Sequence, residues 1–239
     1  EMINMRFPTA GTIRMDYDTT RKKDSYEKIL QAFRNHEADI LIGTQMIVKG
    51  HDFPDVTLVG VLAADMSLNV NDYRAAERTF QILTQAIGRA GRGRYPGNAI
   101  IQTYEPEHFA IQTAKEQDYE AFYDKEIEYR KMLRYPPVWN MLVLLITSDE
   151  QEEVQNRSEA VAKLIESIIS QSEKKIQMIG PADAGISKIN DVYRKVIYIK
   201  TEQYETLVSI KDFVDKSIRD NIKYKKISLQ FDFNPVNGF

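Results

Sequence analysis

Ile40-Leu41-Ile42-Gly43-Thr44-Gln45-Met46-Ile47-Val48-Lys49-Gly50-His51-Asp52-Phe53-Pro54-Asp55-Val56 joins two apolar runs through a loop rich in Gly and polar residues. The first run, Ile40 to Ile42, is short. The second, Val56 to Ala64, is nearly unbroken, as expected of a central strand in a parallel sheet covered on both faces. Upstream, Tyr26, Ile29, Leu30 and Phe33 recur at i, i+3, i+4 and i+7, the spacing of a helix with one buried face. Downstream, Tyr73, Ala76, Phe80, Leu83 and Ile87 mark a second helix, and Gly97 breaks the chain before a strand over Ala99 to Thr103. Strands alternating with helices predict a doubly wound α/β layer.

A second block follows. Pro106 to Leu133 reads as helical, with Tyr119, Phe122, Tyr123 and Ile127 as an apolar stripe, and Pro136-Pro137 ends it. The predicted domains are therefore 1–137 and 138–239. In the second, strands are expected over Met141–Thr147, Ile176–Ile179 (closed by Gly180-Pro181), Val192–Lys200 and Ile227–Phe233. Helices are expected over Glu150–Gln171 and Gln203–Ile218. The order is βαββαβ, the ferredoxin-like order of an α+β domain.

The 239 residues are 43% hydrophobic and 28% charged, enough apolar material for packed cores under a polar surface. No cysteine is present, which excludes disulfides and thiolate metal sites within this sequence. His36, His51 and His108 are far apart, so no metal site is predicted. A net charge of −3 gives no basic footprint over the whole chain, so any nucleic-acid contact must be local. The longest aliphatic run, Met141 to Ile146, is far short of the ~20 residues that span a bilayer. No signal-peptide pattern opens the chain, which reads as intracellular with no membrane partner. Its start at Glu1, without an initiating Met, predicts a longer parent protein.

Two stretches carry chemistry. The Gly43–Pro54 loop sits where ligands of open α/β sheets bind, beyond the carboxyl end of a strand. Gly43 and Gly50 permit close backbone approach. Thr44 and Lys49 offer a hydroxyl and a charge to phosphates, and Asp52 can accept from a sugar hydroxyl. A polar surface loop accounts for the same residues equally well. Gln85-Ala86-Ile87-Gly88-Arg89-Ala90-Gly91-Arg92-Gly93-Arg94 follows the second helix and holds three arginines within six residues. Guanidinium groups suit planar, multi-donor recognition of phosphate oxygens, and the intervening Gly and Ala leave them accessible. A helix end with basic residues on its dipole also fits, but does not explain arginines beyond the glycines.

Together these stretches resemble motifs V and VI of superfamily 2 helicases. The strings Asp16-Tyr17-Asp18-Thr19-Thr20, Tyr73-Arg74-Ala75-Ala76-Glu77-Arg78, Leu133-Arg134-Tyr135-Pro136-Pro137 and Phe231-Asp232-Phe233-Asn234-Pro235 resemble the PriA family of replication-restart DNA helicases, over essentially the whole chain. The resemblance implies a partial RecA-like second helicase lobe followed by the ferredoxin-like C-terminal domain. It implies Arg92 as the arginine finger at the γ-phosphate, Arg89 as its neighbour and Gln85 as the opening of the motif. It places Gly50, Asp52 and Gly88 at the nucleotide, and Thr44 and Lys49 at the DNA backbone. ATP and Mg would be held mainly by a first lobe, whose phosphate loop and DExH box are not in this sequence. Zinc is expected only in the family's cysteine-rich module, which is also not here.

The implied activity is an ATP-dependent 3′-to-5′ helicase acting in primosome assembly and fork restart in the bacterial cytoplasm. This chain alone would be inactive. Implied partners are branched DNA and single strands, single-stranded-DNA-binding protein, and primosome and helicase-loading proteins. In the C-terminal block, Lys174-Lys175, Lys188, Arg194-Lys195 and Lys223-Lys225-Lys226 are candidate basic positions, with Tyr193 and Tyr224 able to stack on bases; a solvated face with core-edge tyrosines is the plainer reading. The rival function is a DNA- and protein-binding module without motor activity.

Overall fold

The computed structural model describes residues 2–21, 24–48, 53, 55–219, 221, 224 and 226–236. The chain forms two compact units: residues 1–70 with 75–122, and residues 71–74 with 123–239.

The first unit runs α1 (Met2–Arg6), β1 (Thr12–Met15), α2 (Ser25–Arg34), β2 (Ile40–Gly43), a 3-10 turn (Gln45–Val48), β3 (Leu58–Val61), α3 (Asp65–Leu68), α4 (Ala75–Ile87), β4 (Asn98–Ile101), α5 (Phe109–Glu116) and the start of α6 (Tyr119–Leu133). Among the described residues, its strands form two parallel pairs. In one, Thr12 is in register with Ile40 and Met15 with Gly43; in the other, Leu58 with Asn98 and Val61 with Ile101. The predicted α2 face closes one small core, Met15, Leu30 and Phe53 with Tyr26, Ile29 and Phe33 at its edge. A larger core joins Phe80 and Leu83 of α4 to Ala110, Ile111 and Ala114 of α5 and Phe122 of α6.

Two expectations for this stretch of the chain change in detail. The Val56–Ala64 run is covered on one face only: Leu58 is 58% exposed and its neighbour Ile100 on β4 60%, because α4 packs on β3 from the other side. The run read as one helix over Pro106–Leu133 is two helices. Gln117 adopts a left-handed φ of 55° and closes α5, and the Asp118 carboxylate accepts from the Ala121 N–H at 2.9 Å to open α6.

The second unit contains β5 (Asn140–Ser148), α7 (Gln151–Ile169), β6 (Ile176–Ile189), β7 (Val192–Thr201), α8 (Tyr204–Arg219) and β8 (Ser228–Phe233). The sheet order is β6-β7-β5-β8, antiparallel throughout, which is the ferredoxin-like topology. β5 is central and buried on both faces. Leu142, Leu144 and Ile146 meet Val154, Val161 and Ile165 of α7 and Leu207 and Ile210 of α8. Met141, Val143 and Leu145 meet Ala184, Val196, Tyr73, Tyr135 and Tyr198. Burial on both faces is why β5 reads as a continuous apolar run rather than an alternating one. β6 does not stop at Gly180-Pro181. It shifts register there as a bulge and continues to Ile189. Gly180 has φ +107°, and a Cβ on it would lie 2.7 Å from the Val196 carbonyl. Asn190 and Asp191, both at positive φ, turn the chain into β7.

Candidate functional site

Gly43 ends β2 so close to β1 that a Cβ there would run into the Met15 carbonyl. Thr44 follows in the open, and its carbonyl accepts from the Ile47 N–H at 3.1 Å to start the 3-10 turn, which packs against α4. Lys49, Gly50 and Asp52, with His51, lie outside the described residues. Phe53 is buried edge-on against Phe33, ring centroids 5.1 Å apart, anchoring the far side of the loop.

α4 carries the arginine stretch. Gln85 is exposed in its last turn. Gly88 donates its N–H to the Thr84 carbonyl at 3.0 Å and Arg89 donates to Ala86 at 3.0 Å, so the helical path persists past Ile87. Gly91 then turns with φ +75° and donates to the Val56 carbonyl at 3.0 Å; Asn98 donates to the Thr57 carbonyl at 2.8 Å as β4 begins. The segment leaving the first loop therefore holds both ends of the arginine loop by backbone hydrogen bonds. The two stretches that the sequence singles out are one structural element. Arg89 is half-buried. Arg92 is exposed, and its Nε–H donates to the Gly88 carbonyl at 2.6 Å. Arg94 lines an open groove of about 670 Å³ with His36, Asp55, Gly93 and Tyr95, where His36 Nε2 lies 3.4 Å from an Asp55 carboxylate oxygen. Cationic side chains on a turn fixed by its backbone, with Gly and Ala between them, fit an anionic group such as a phosphate.

The structure thus joins Gln85, Gly88, Arg89 and Arg92 to the chain that follows Thr44. Sequence reasoning did not find the groove residues His36, Asp55 and Tyr95, which are distant in sequence and lack a motif. It also passed over Asp65. This buried carboxylate accepts from the Thr103 hydroxyl, the Tyr104 N–H at 2.9 Å and the Glu105 N–H at 3.2 Å. The Thr103 hydrogen bond, then the Tyr104 amide, holds its pKa below the usual carboxylate value. Asp65 ties the chain after β3 to the chain after β4, a positional task rather than a chemical one.

In the second unit five of the six described candidate basic positions are engaged locally. Lys195 pairs with Asp183 at 3.0 Å, Lys188 with Asp191 at 2.9 Å and Lys226 with Glu150 at 2.8 Å. Arg194 donates to the Ile186 carbonyl and Lys174 to the Thr206 hydroxyl. Tyr193 and Tyr224 pack at the edge of the α7–α8 core. Lys223 and Lys225 lie outside the described residues. These contacts favour the solvated-face reading for the described positions.

The family described as helicase conserved C-terminal domain matches residues 9–94, and the primosomal protein N C-terminal domain matches residues 131–236. The replication restart protein PriA of Bacillus subtilis is 41% identical over 235 residues, covering 98% of this chain and 29% of that protein. The chain belongs to the PriA family. The PriA of Synechocystis is 44% identical over 200 residues, 84% of this chain and 24% of that protein, and the PriA of Chlamydia trachomatis is 38% identical over 237 residues, 98% and 30%. The chain thus spans less than a third of the length of these PriA relatives. The arginine stretch lies inside the helicase match and the βαββαβ unit inside the PriA-specific match, so the family accounts for both halves of the fold. Among the described residues no helix is long and apolar enough to cross a membrane.

Proposed function

We propose that this chain supplies the second motor lobe and the C-terminal domain of an ATP-dependent 3′-to-5′ DNA helicase that acts in primosome assembly and restarts stalled replication forks. The observation that carries the reading is the Gly91–Val56 hydrogen bond, with the 3-10 turn packed on α4, which makes the Thr44 loop and the arginine loop one element. An element of that kind suits a lobe that meets DNA through one loop and a nucleotide through the other.

In this reading Arg92 is the arginine finger, Arg89 its neighbour and Gln85 the polar residue that opens the motif. Gly88, bare of a side chain, leaves room for phosphate oxygens, and Gly50 and Asp52 complete the nucleotide side. Thr44 and Lys49 hold the DNA backbone. ATP, bound with Mg mainly on the other lobe, supplies the phosphoryl group that leaves. Arg92 would break its bond to the Gly88 carbonyl and present its guanidinium to the charge that develops on that group. Because Arg92 comes from a second lobe, hydrolysis depends on lobe closure, which couples turnover to movement along a strand. Zinc belongs to a cysteine-rich module elsewhere in the parent protein. The motor lobe with its trailing helices corresponds to 1–137 and the C-terminal domain to 138–239 as the sequence divides them, although the compact C-terminal unit takes in α6 from Tyr123. The partners are branched and single-stranded DNA, single-stranded-DNA-binding protein and primosome and helicase-loading proteins, in the bacterial cytoplasm at the fork.

The experiment compares phosphate release by this chain alone and by the full-length protein, with and without single-stranded DNA. The expected result is DNA-stimulated release by the full-length protein only. A full-length protein that binds DNA without stimulated release would favour the rival, a DNA- and protein-binding module; release by the chain alone would overturn the assignment of phosphate binding to another lobe.

A further inference from the structure

Gly93, Arg94 and Tyr95 form the apex of a loop whose two ends are fixed by backbone hydrogen bonds, Gly91 to the Val56 carbonyl and Asn98 to the Thr57 carbonyl. Two residues from other parts of the first unit face this apex. Asp55 immediately precedes the Val56 that holds Gly91. His36 closes α2, its N–H donating to the Phe33 carbonyl at 3.1 Å and its backbone turned to a left-handed φ of 59°. These five residues line the open groove of about 670 Å³, a volume typical of sites that take small organic ligands.

Two groups in the groove are unspent. Tyr95 is 61% exposed, an aromatic ring left in water on a loop that is held at both ends. Arg94 is exposed, and among the described residues it pairs with no carboxylate. Lys188, Lys195, Arg219 and Lys226 of the second unit, by contrast, each have one. Asp55 is the one carboxylate among the described lining residues, and it is engaged by His36 rather than by Arg94. Consecutive residues thus offer a bare ring and an uncompensated guanidinium. A nucleoside phosphate carries the two complementary features, a flat base and an anionic group. Aromatic rings stack on any base, and the planar guanidinium fork matches phosphate oxygens. A bare anion would leave the ring unused and would meet the Asp55 charge; an apolar ligand would leave Arg94 unused.

We propose that the groove of His36, Asp55, Arg94 and Tyr95 binds a nucleoside phosphate. The base stacks on Tyr95, the phosphate meets Arg94, and the Asp55 carboxylate accepts from an amino or hydroxyl group of the ligand. Two sources carry this chemistry: one residue of a single strand, or a free nucleotide. Arg92, Arg89 and Gln85 take no part, so the site stands without the motor reading.

The test titrates this chain, isotope-labelled, with an oligothymidylate, ATP, thymidine and inorganic phosphate, following the amide resonances of His36, Asp55, Gly93, Arg94 and Tyr95 by NMR. Saturable shifts centred on these amides are expected with the oligonucleotide or with ATP. A response to the oligonucleotide alone assigns the groove to a DNA strand, and a response to ATP alone to a free nucleotide. Thymidine and phosphate each carry half of the ligand and should bind several-fold more weakly. Tyr95→Ala should weaken binding of the responding ligand by roughly 5–100-fold, the loss of one base stack. Tyr95→Phe keeps the ring and should stay within about 2-fold of the parent. Arg94→Gln should weaken the nucleotide and leave thymidine unchanged. Both residues are exposed, so neither substitution disturbs a core. No shift at these amides with millimolar oligonucleotide or ATP, phosphate binding as tightly as the nucleotide, or parent-like affinity in Tyr95→Ala would each overturn the proposal. A tighter response to a glutamate-rich peptide would overturn it in favour of a protein partner. The readout is binding by this chain and not turnover, so these outcomes leave the motor reading untouched.

Discussion

Gly97 lies backbone to backbone against Gly91: a Cβ on Gly91 would come 2.6 Å from the Gly97 nitrogen, and one on Gly97 would strike the backbone of Gly91 and Ala90. This contact closes the arginine loop and brings the chain from the end of α4 back to β4. Gly97→Ala should therefore destabilise the first unit by roughly 1–3 kcal/mol, the cost of forcing a backbone shift where nothing flexible can yield. Gly60→Ala is the control, since a Cβ there meets nothing within 4 Å and Gly in a strand carries an entropic penalty. Urea denaturation of both variants checks the pair. Equal midpoints would show that the loop relaxes without cost.

Arg92→Ala in the full-length protein should cut DNA-stimulated kcat by roughly 10³–10⁵, the range for arginine fingers, with a far smaller change in nucleotide affinity. Arg92→Lys should rescue poorly, because an ammonium does not reproduce the planar fork. Steady-state phosphate release and a fluorescent-nucleotide titration on the same preparations separate the two effects. Near-parent turnover in Arg92→Ala would reduce Arg92 to a helix-end residue whose side chain satisfies the Gly88 carbonyl.

Much of this architecture is legible in the sequence because period and burial coincide. Leu142, Leu144 and Ile146 interleave with Met141, Val143 and Leu145, and both sets are buried, so the run announces a central strand. The break at Gln117-Asp118 was also there to be read, as a capping Asp ahead of the Tyr119–Phe122 stripe, but the continuous helical composition around it hides one residue's left-handed φ. β6 runs past the stop that the turn chemistry of Gly180-Pro181 predicts, because tertiary pairing with Val196 and Tyr198 carries the strand on through a bulge. The site splits the same way. Gln85, Gly88, Arg89 and Arg92 are contiguous and visible, whereas the groove partners His36 and Asp55 depend on long-range packing that no local spacing encodes.

A fragment beginning at Tyr123 should be more stable than one beginning at Val138. The compact unit includes α6 from Tyr123 onward, and cutting at 138 removes the buried Glu126–Arg130 pair, the Tyr135 ring under Lys200 and the Leu133 carbonyl that Lys200 bonds. Lys200 would keep its place in β7 without the groups that offset its burial. Thermal melts of 123–239 and 138–239 compare the two. A higher or equal midpoint for 138–239 would place the folding boundary at Pro136-Pro137.

The same lysine gives the second unit a pH dependence of definite sign. Burial, with the positive charge of Arg134 nearby, lowers the Lys200 pKa from 10.5 to about 8. Between those values the folded state has given up a proton that the unfolded state keeps, so the unfolded state binds more protons and stability rises with pH. Below about pH 8 the contribution is level at its least favourable value, because Lys200 is an ammonium in both states and is held out of water only in the folded one. Tyr135 and Tyr198, which share this side of the sheet, have pKa values raised by burial, so near pH 10 they oppose the rise, and the difference between parent and variant isolates the lysine. The full linkage would be roughly 3 kcal/mol, but the Tyr135 ring and the Leu133 carbonyl favour the ammonium, and a gain of roughly 1–2 kcal/mol from pH 7.5 to pH 10 is expected. Lys200→Met should abolish the rise while preserving the fold, since the methylene stem keeps its packing. Urea midpoints of fragment 123–239 and its Lys200→Met variant, taken at half-unit steps of pH, are the measurement. A parallel rise in both proteins would assign the dependence to another group, and a flat profile in the parent would mean that Lys200 remains an ammonium throughout.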